Sequence, residues 1–489
     1  MNFEQKNLLQ KNEQPVIEKI ELNRELTELE NAGIKVVEKL RSQNYEAYFA
    51  GGYARDIFLH ITPHDIDIAT SAKPEEIEKI FEKSVPTGKT FGVIRVEMDG
   101  FWFEVATFRE DLPSADARHP SGIKFTSAEN DAKRRDFTVN GLFYDPIKKE
   151  IIDYVGGIDD LKNKVLRFIG NPFERIEEDH LRLIRAIRFK NKLGFRMLPE
   201  DWQAVHNNAE KIRTVSAERI QEELTKILLH PSRAESIRDL EKAGILKEII
   251  PELQDTIGIP QPPQYHSEGD VFSHTLLALK CLPENVEPKV AWAVLLHDIG
   301  KPKVIKTPEN GAKKITFHEH EKIGAELTKK ILKRLRFSND FIKDVAWLVE
   351  NHMMDTYIPK MREAKRRQLF QDPRFPFLTE VFRADRLASL SPEGKPLMDS
   401  FNQTMDLWHE ELTRPPEEKK KKIISGDDIM KKFNLKPGKH IGKIIERVNE
   451  AYLEGVLGEV VKIDKKGKEK IDKEKIFKFI KKNCSDLLL

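Results

Sequence analysis

Two cysteines, Cys281 and Cys484, are all that 489 residues contain. That scarcity excludes a disulfide framework and any zinc site built on cysteines. Long apolar runs are missing too: none approaches the ~18–20 residues that a membrane-spanning helix needs. The segment Met1–Glu30 is polar and charged, without the apolar core of a secretory leader, so a cytoplasmic location is the expectation. A large charge of one sign is also absent, the formal net charge being +2. The balance is uneven, however. From Arg414 to the C-terminus 21 Lys/Arg stand against 13 Asp/Glu, an excess of 8. Such a tail suits contact with an acidic polymer, and equally a solvated lysine-rich end.

The length is too great for one core, so three or more domains are expected. Residues 1–30 read as a polar, partly helical extension. From residue 31 to 170, apolar spacing predicts a helix over Leu29–Leu40, then short strands at Tyr48–Ala50, Asp65–Ile68, Gly92–Met98 and Phe101–Thr107 alternating with helices, a small α/β palm. After about residue 172 the pattern is helical to the end. Residues 171–258 form a helical neck, closed by the proline-rich Ile259-Pro260-Gln261-Pro262-Pro263. Residues 259–414 form a further helical domain, and Arg414-Pro415-Pro416 with the Lys419–Lys422 run opens a basic helical tail over 415–489. The fold class is therefore α+β, with a small palm followed by mainly α-helical domains.

The chemistry concentrates around Tyr48-Phe49-Ala50-Gly51-Gly52-Tyr53-Ala54-Arg55-Asp56. Gly51 and Gly52 after a strand let backbone approach a phosphate. Arg55 falls on the first turn of the next helix, where a cation and the helix N-terminus both suit a triphosphate. In His64-Asp65-Ile66-Asp67-Ile68 a strand puts Asp65 and Asp67 on one face and the isoleucines in the core. Two carboxylates on one face offer an oxygen-rich seat for Mg²⁺. Glu104, alternating with apolar residues in Phe101–Thr107, is either a third carboxylate of that seat or a surface glutamate. Asp56 orients Arg55 or caps its helix. Asp179, Arg182, Arg185 and Arg188 recur every three residues and so share one helix face.

This set resembles the class II nucleotidyltransferases: the tRNA CCA-adding enzymes, their CC- and A-adding relatives, and bacterial poly(A) polymerases. The likeness continues in order. Arg134-Arg135-Asp136-Phe137-Thr138-Val139-Asn140 is similar to the family's ribose segment, Asp153–Leu161 to its hinge, and Glu178–Phe189 to its nucleotide-selecting helix. The resemblance implies that Asp65 and Asp67 are catalytic, with Glu104 the candidate third carboxylate beside them, and that Gly51, Gly52, Arg55, Arg135, Asp136 and Asn140 bind the nucleotide. It also implies that Asp179 and Arg182 read the base, with Arg185 and Arg188 nearer the triphosphate or in structural ion pairs. The expected partners are ATP, CTP and the 3′ end of tRNA, with no membrane, and the expected cofactor is Mg²⁺.

A second constellation follows the proline linker: His274, His297-Asp298 before Ile299-Gly300-Lys301, then His320, His352 and Asp385. Their order resembles the HD superfamily of metal-dependent phosphohydrolases, in which imidazoles and aspartates from several helices converge on divalent ions. His320 is preferred over His318 because Glu321, Gly324 and Ala325 follow it as in that superfamily. His266, in Tyr265-His266-Ser267-Glu268-Gly269-Asp270, is also typical of HD domains fused to these transferases. The implied second cofactor is a divalent transition metal, Ni²⁺, Mn²⁺ or Co²⁺. In the tail, Lys436, Lys439 and Lys443 flank Pro437-Gly438 and are candidates for RNA phosphates, or simply the surface of a turn between helices.

Template-independent addition of C and A to tRNA is the leading expectation, with possible phosphohydrolase activity in the HD domain. Its alternatives are an A-adding or CC-adding partial enzyme, or a poly(A) polymerase. A rival of another class is an HD phosphohydrolase with a non-catalytic RNA-binding half.

Overall fold

The computed structural model describes residues 14–21, 24–63, 65–88, 91–111, 123–414, 423–453, 455–458, 460–463 and 469–488. The chain divides into two compact units, one running to Gln254 and including Arg334–Phe337, the other built from Asp255–Lys333 and Ser338 onward. The Lys419–Lys422 run and Pro415-Pro416 lie outside the described residues. No described helix is long and apolar enough to cross a membrane.

The first unit is organised by an eight-stranded sheet. Its strands are β1 (Val16–Lys19), β2 (Ala47–Ala50), β3 (Asp67–Thr70), β4 (Ser84–Gly88), β5 (Val93–Met98) and β6 (Phe101–Thr107), joined later by β9 (Phe143–Asp145) and β10 (Glu150–Asp153). The spatial order is β1-β10-β9-β2-β3-β6-β5-β4. A separate two-stranded ribbon pairs β7 (Arg109–Asp111) with β8 (Ile123–Phe125). Only β3 and β6 run parallel within the large sheet, and this sets Asp67 opposite Glu104. Alternation decides which side chains face in: Ile66, Ile68, Phe103 and Val105 are buried, while Asp65, Asp67 and Glu104 remain exposed.

Two expectations need correction here. The N-terminal extension is not merely polar and helical. Val16–Lys19 is an edge strand paired with Asp153–Glu150. Its pairing rests on backbone hydrogen bonds, and Val16 and Ile17 stay exposed, so no buried face announces the strand in the sequence. Nor is the chain helical to its end: β11 (Val461–Ile463) and β12 (Glu469–Ile471) form an antiparallel pair in the tail.

Helix α1 (Glu28–Arg41) begins with a capping box between Thr27 and Glu30. Glu30 is almost fully buried. It accepts hydrogen bonds from Arg24 at 2.6 and 2.7 Å, from the Thr27 amide at 2.8 Å and from Tyr53 Oη at 2.7 Å. Tyr53 belongs to α2 (Gly52–Phe58), so this carboxylate ties α1 to the helix that follows the paired glycines. Burial opposes ionisation, yet Arg24, Thr27 and Tyr53 together lower the Glu30 carboxyl from 4.5 to about 2. The stability it contributes is fully present above the unfolded value and is lost as pH falls through the folded one. Glu30→Gln is expected to cost about 3 kcal/mol at pH 7. Urea unfolding of both proteins at pH 7 and pH 2.5 checks this; an equal difference at the two pH values would reject the ion pair as its source.

Residues 31–170 also carry α3 (Ala128–Lys133) and α4 (Gly157–Lys162), and residues 171–258 carry α5 (Pro172–Glu178), α6 (Arg182–Leu193) and α7 (Ala217–Leu229), the last packed on α6. In the second unit α8 (Val271–Lys280), α9 (Pro288–Leu296), α10 (His320–Arg334), α11 (Asn339–Asn351) and α12 (Phe375–Ala388) surround one core, with α9 the most buried. The tail packs α13 (Gly426–Phe433), α14 (Lys439–Leu453) and α15 (Lys473–Asn483) around Ile429, Ile444, Val448, Ile476 and Ile480.

Candidate active site

In the first unit the chain leaves β2 through Gly51, whose φ of +61° favours glycine. Its N–H donates to the Leu142 carbonyl at 3.0 Å, and an added Cβ would stand 3.0 Å from Arg135 Nη1. Asp65 precedes β3, Asp67 begins it, and Glu104 is the register partner of Asp67. Among the described residues these three carboxylates do not gather within 4.8 Å of one another. The Asp67 carboxyl is pushed up to about 6, first by desolvation and then by Asp65 and Glu104, with Arg135 opposing. A carboxylate raised in this way by its acidic neighbours fits a divalent cation bound by oxygen ligands.

Behind the carboxylates lies a buried polar network. Arg55 is 4% exposed, donating from Nε to Asp56 Oδ1 at 2.8 Å and from Nη1 to Asn140 Oδ1 at 2.6 Å. Asp56 thus orients Arg55, and the guanidinium is held inside instead of standing free for a triphosphate. Asn140 Nδ2 donates to Asp136 Oδ1 at 3.1 Å, and Asp136 Oδ2 receives Arg185 Nε at 2.9 Å and Nη2 at 2.5 Å. With the Phe137 amide also on Oδ1, both oxygens of Asp136 are engaged. Burial pushes the Asp136 carboxyl up, but Arg185 and Asn140 outweigh it and hold it below the usual range. Arg188 donates to Glu223 at 2.6 Å. Burial and Arg185 lower Arg188 despite that partner. Arg55, Arg185 and Arg188 lie 5.5, 5.2 and 4.1 Å from the centre of the Phe189 ring.

The selecting segment is not one continuous helix face. Asp179 lies in the connection between α5 and α6, where its carboxylate accepts from the Leu181 amide at 3.1 Å and from Arg219 at 2.8 Å. Side-chain capping of a turn competes with helix continuation, and at Asp179 the turn wins. Arg182 opens α6 and donates to Glu178 at 2.8 Å and to the Arg175 carbonyl at 2.5 Å, not to Asp179.

The second unit brings all six expected HD residues together, each buried. Asp298 is central. Its Oδ2 lies 3.2 Å from His297 Nε2 and 3.8 Å from His274 Nε2, and its Oδ1 lies 3.5 Å from His320 Nε2 and 3.7 Å from His352 Nε2. Asp385 Oδ1 adds contacts of 3.0 Å to His274 and 3.8 Å to His297. Donors around an ion bonded at ~2.1 Å stand about 3.0–3.4 Å apart, so the cluster is close to a coordination shell. His297 Nε2 is buried with no hydrogen-bond partner, as a lone pair reserved for a metal would be. Burial, then His320 and His297, lower His352 to about 3, so its imidazole is neutral. Burial opposes ionisation of Asp298, but His297 and Lys301 hold it well below the carboxylate range. Gly300 lets α10 approach, since a Cβ there would meet the His320 carbonyl at 2.2 Å.

Comparison with known proteins places this geometry. The family model of the Poly A polymerase head domain matches residues 47–167, that of the probable RNA and SrmB-binding site of polymerase A residues 194–257, and that of the HD domain residues 271–390. A CCA-adding enzyme of Streptococcus mutans serotype c is 31% identical over 430 residues, which is 87% of this chain and 93% of that protein. The chain belongs to the CCA-adding enzyme family. A CCA-adding enzyme of Ligilactobacillus salivarius is 41% identical over 207 residues, 42% of this chain, and the match spans about half of that relative, 51%. In fold, the crystal structure of the Bacillus stearothermophilus CCA-adding enzyme in complex with CTP matches 94% of this chain and all of its own, with a TM-score of 0.68 at 22% identity.

Several residues of this CCA-adding family member escaped the sequence reading. Asp131 holds Arg134 at 2.7 Å and Arg135 at 2.9 Å, and Glu223 braces Arg188. Lys301 is buried inside the HD centre, 2.6 Å from Asp298 and donating to Gln261 at 2.7 Å. Glu223 carries no spacing signature, because it comes from another helix, whereas Asp131 stands three and four residues before its two arginines, the spacing of neighbours on a helix. Lys301 had one: it follows the His-Asp pair within the same turn. In the tail, Lys436, Lys439 and Lys443 are exposed, the last two on the first turns of α14.

Proposed function

We propose that this protein adds C and A to the 3′ end of tRNA from CTP and ATP without a nucleic-acid template. The observation that carries the proposal is the parallel register of β3 and β6, which sets Glu104 beside Asp67 with Asp65 two residues upstream. Three carboxylates from two strands fit Mg²⁺, which when bound activates the attacking 3′-hydroxyl and neutralises the leaving pyrophosphate. The chain's own part is positional. Gly51 and Gly52 admit the phosphates at the start of α2, with Arg55 setting the shape of that turn from behind. Arg135 and Asn140 border the ribose side, and Asp136 reaches a ribose hydroxyl by exchanging part of its bond to Arg185. Residues 31–170 do the chemistry, 171–258 select the base, 259–414 form the HD domain, and 415–489 hold tRNA through Lys436, Lys439 and Lys443. Residues 1–30 are assigned no role.

Transcripts of tRNA ending before CCA, after C and after CC, supplied with CTP and ATP separately and together, test this reading. Addition of CCA to the first transcript is expected. Addition of A alone, of CC alone, or of a long A tract would identify a partial enzyme or a poly(A) polymerase. Asp179→Ala or Arg182→Ala is expected to relax base choice more than triphosphate affinity. An unpaired hydrogen-bonding edge is worth about 1–3 kcal/mol, roughly tenfold to a hundredfold in discrimination. Misincorporation of UTP and GTP measured against wild type reads the effect; an unchanged ratio would remove both residues from base reading.

A second activity is favoured by the HD centre. Its imidazole-rich donor set suits Mn²⁺, Ni²⁺ or Co²⁺, and the proposed reaction is hydrolysis of phosphomonoesters or 2′,3′-cyclic phosphates at RNA ends. The presence of both Asp65 and Asp67 in the palm argues against the alternative of a hydrolase with a non-catalytic first half.

A further inference from the structure

Four histidines meet at the HD centre, and three of them are held in the same way. His297, His320 and His352 each donate Nδ1–H to the carbonyl three residues earlier, to Val294 at 2.8 Å, Phe317 at 2.7 Å and Val349 at 2.6 Å. All three sit at helix ends: His297 and His352 follow α9 and α11, and His320 opens α10. At a helix end a carbonyl keeps acceptor capacity for an imidazole, even where, as at Phe317 and Val349, it also receives the backbone N–H of the same histidine. Each bond fixes the tautomer with Nε2 unprotonated and turned toward Asp298.

His274 cannot use that device. It lies inside α8, where the carbonyl three residues back, that of Val271, already accepts from Thr275 Oγ1 at 2.9 Å. Its Nδ1 instead meets Glu268 Oε1 at 2.7 Å, across the turn that precedes the helix. Glu268 is itself held. His266 Nδ1 donates to the same oxygen at 2.7 Å, and the Leu390 amide donates to Oε2 at 3.1 Å. Its side chain is 4% exposed, so an ionised carboxylate there depends on such donors. Asp385, five residues before Leu390, faces the opposite nitrogen of His274.

We infer that Glu268 is a positioning residue of the HD centre: it takes the place of the missing backbone carbonyl, fixes the Nδ1–H tautomer of His274, and so presents Nε2 to the metal. This inference rests on the metal-binding reading of that centre. His266 braces the carboxylate from its far side and is a support of Glu268, not a ligand.

The test uses the full-length protein and Mn²⁺ or Zn²⁺ alone. Glu268→Leu is expected to weaken Mn²⁺ binding, measured by isothermal titration, by about 10–100-fold, the usual effect of removing a partner that orients a ligand. Glu268→Gln keeps an acceptor oxygen and is expected to lose only a few-fold, which also serves as the control if the leucine variant fails to fold. With Zn²⁺ bound, ¹⁵N spectra of wild type and Glu268→Gln should show His274 protonated at Nδ1. Glu268→Leu should show a mixture of tautomers while His297, His320 and His352 keep theirs. A folded Glu268→Leu variant with wild-type affinity and an unchanged His274 signal would overturn the assignment. Loss of one bound metal per chain in Glu268→Gln would overturn it too, making Glu268 a ligand. Should wild type bind neither ion, the metal reading itself fails, a result the variants cannot mimic.

Discussion

Asp67→Ala is expected to reduce nucleotide incorporation by about 10³-fold or more, the scale of losing a principal electrostatic stabiliser. Binding of tRNA should change little, because phosphate contacts away from the carboxylates supply most of the affinity. Asp65→Ala should behave alike. Primer extension with labelled tRNA measures the first effect and filter binding the second; substantial extension by either variant would remove that residue from the metal seat. A stability signature accompanies the loss. The Asp67 carboxyl is raised to about 6 by desolvation, Asp65 and Glu104, so ionising it costs the folded protein free energy. The cost is absent below the unfolded value near 3.8 and fully present above the folded one. Because the side chain is accessible, solvent screening limits it to about 1 kcal/mol or less. Asp67→Asn should therefore be slightly more stable than wild type at pH 8 without divalent ions, and equal to it at pH 4. Mg²⁺ should raise the melting temperature of wild type and not of the variant.

The combined change His297→Ala with Asp298→Ala is expected to abolish divalent-ion binding in the second unit, by about 10²-fold or more, since even an outer partner is worth 10–100-fold. Any phosphatase or cyclic-phosphodiesterase activity should disappear with it. Addition of C and A should continue, because the carboxylates of the palm belong to the other unit. Removing Asp298 leaves Lys301 buried without its partner, a cost of several kcal/mol, so His297→Ala alone is the companion variant. If the folded variants also lose nucleotide addition, the HD domain contributes to holding tRNA. If wild type hydrolyses nothing with Mn²⁺, Ni²⁺ or Co²⁺, the histidine cluster is a structural metal site.

The two centres were legible in the sequence to different degrees. Hydrophobic alternation around Asp65, Asp67 and Glu104 put the carboxylates on exposed faces, since period two follows from the backbone alone. The HD residues were legible as a set, because their order along the chain matches that of the superfamily, whether they stand at helix ends, as His297, His320 and His352 do, or within helices, as His274 and Asp385 do. Pairing was not legible. That Glu104 stands beside Asp67 depends on a parallel register between strands 37 residues apart, and register is decided by the whole buried face. The regular spacing of Asp179, Arg182, Arg185 and Arg188 pointed to one helix, but a local bond from the Asp179 carboxylate to the Leu181 amide breaks it there.

By itself, then, the sequence determined the residue types of both centres, their strand or helix setting, and membership of the nucleotidyltransferase line through motifs kept in order. Tertiary structure alone decided which charges are free and which are engaged. Asp136 and Arg185 are 49 residues apart, Arg55 and Asn140 are 85 apart, and His274 and Asp385 are 111 apart. Each pair exists because a buried charge must find a partner, and burial belongs to the packed chain, not to any segment of it.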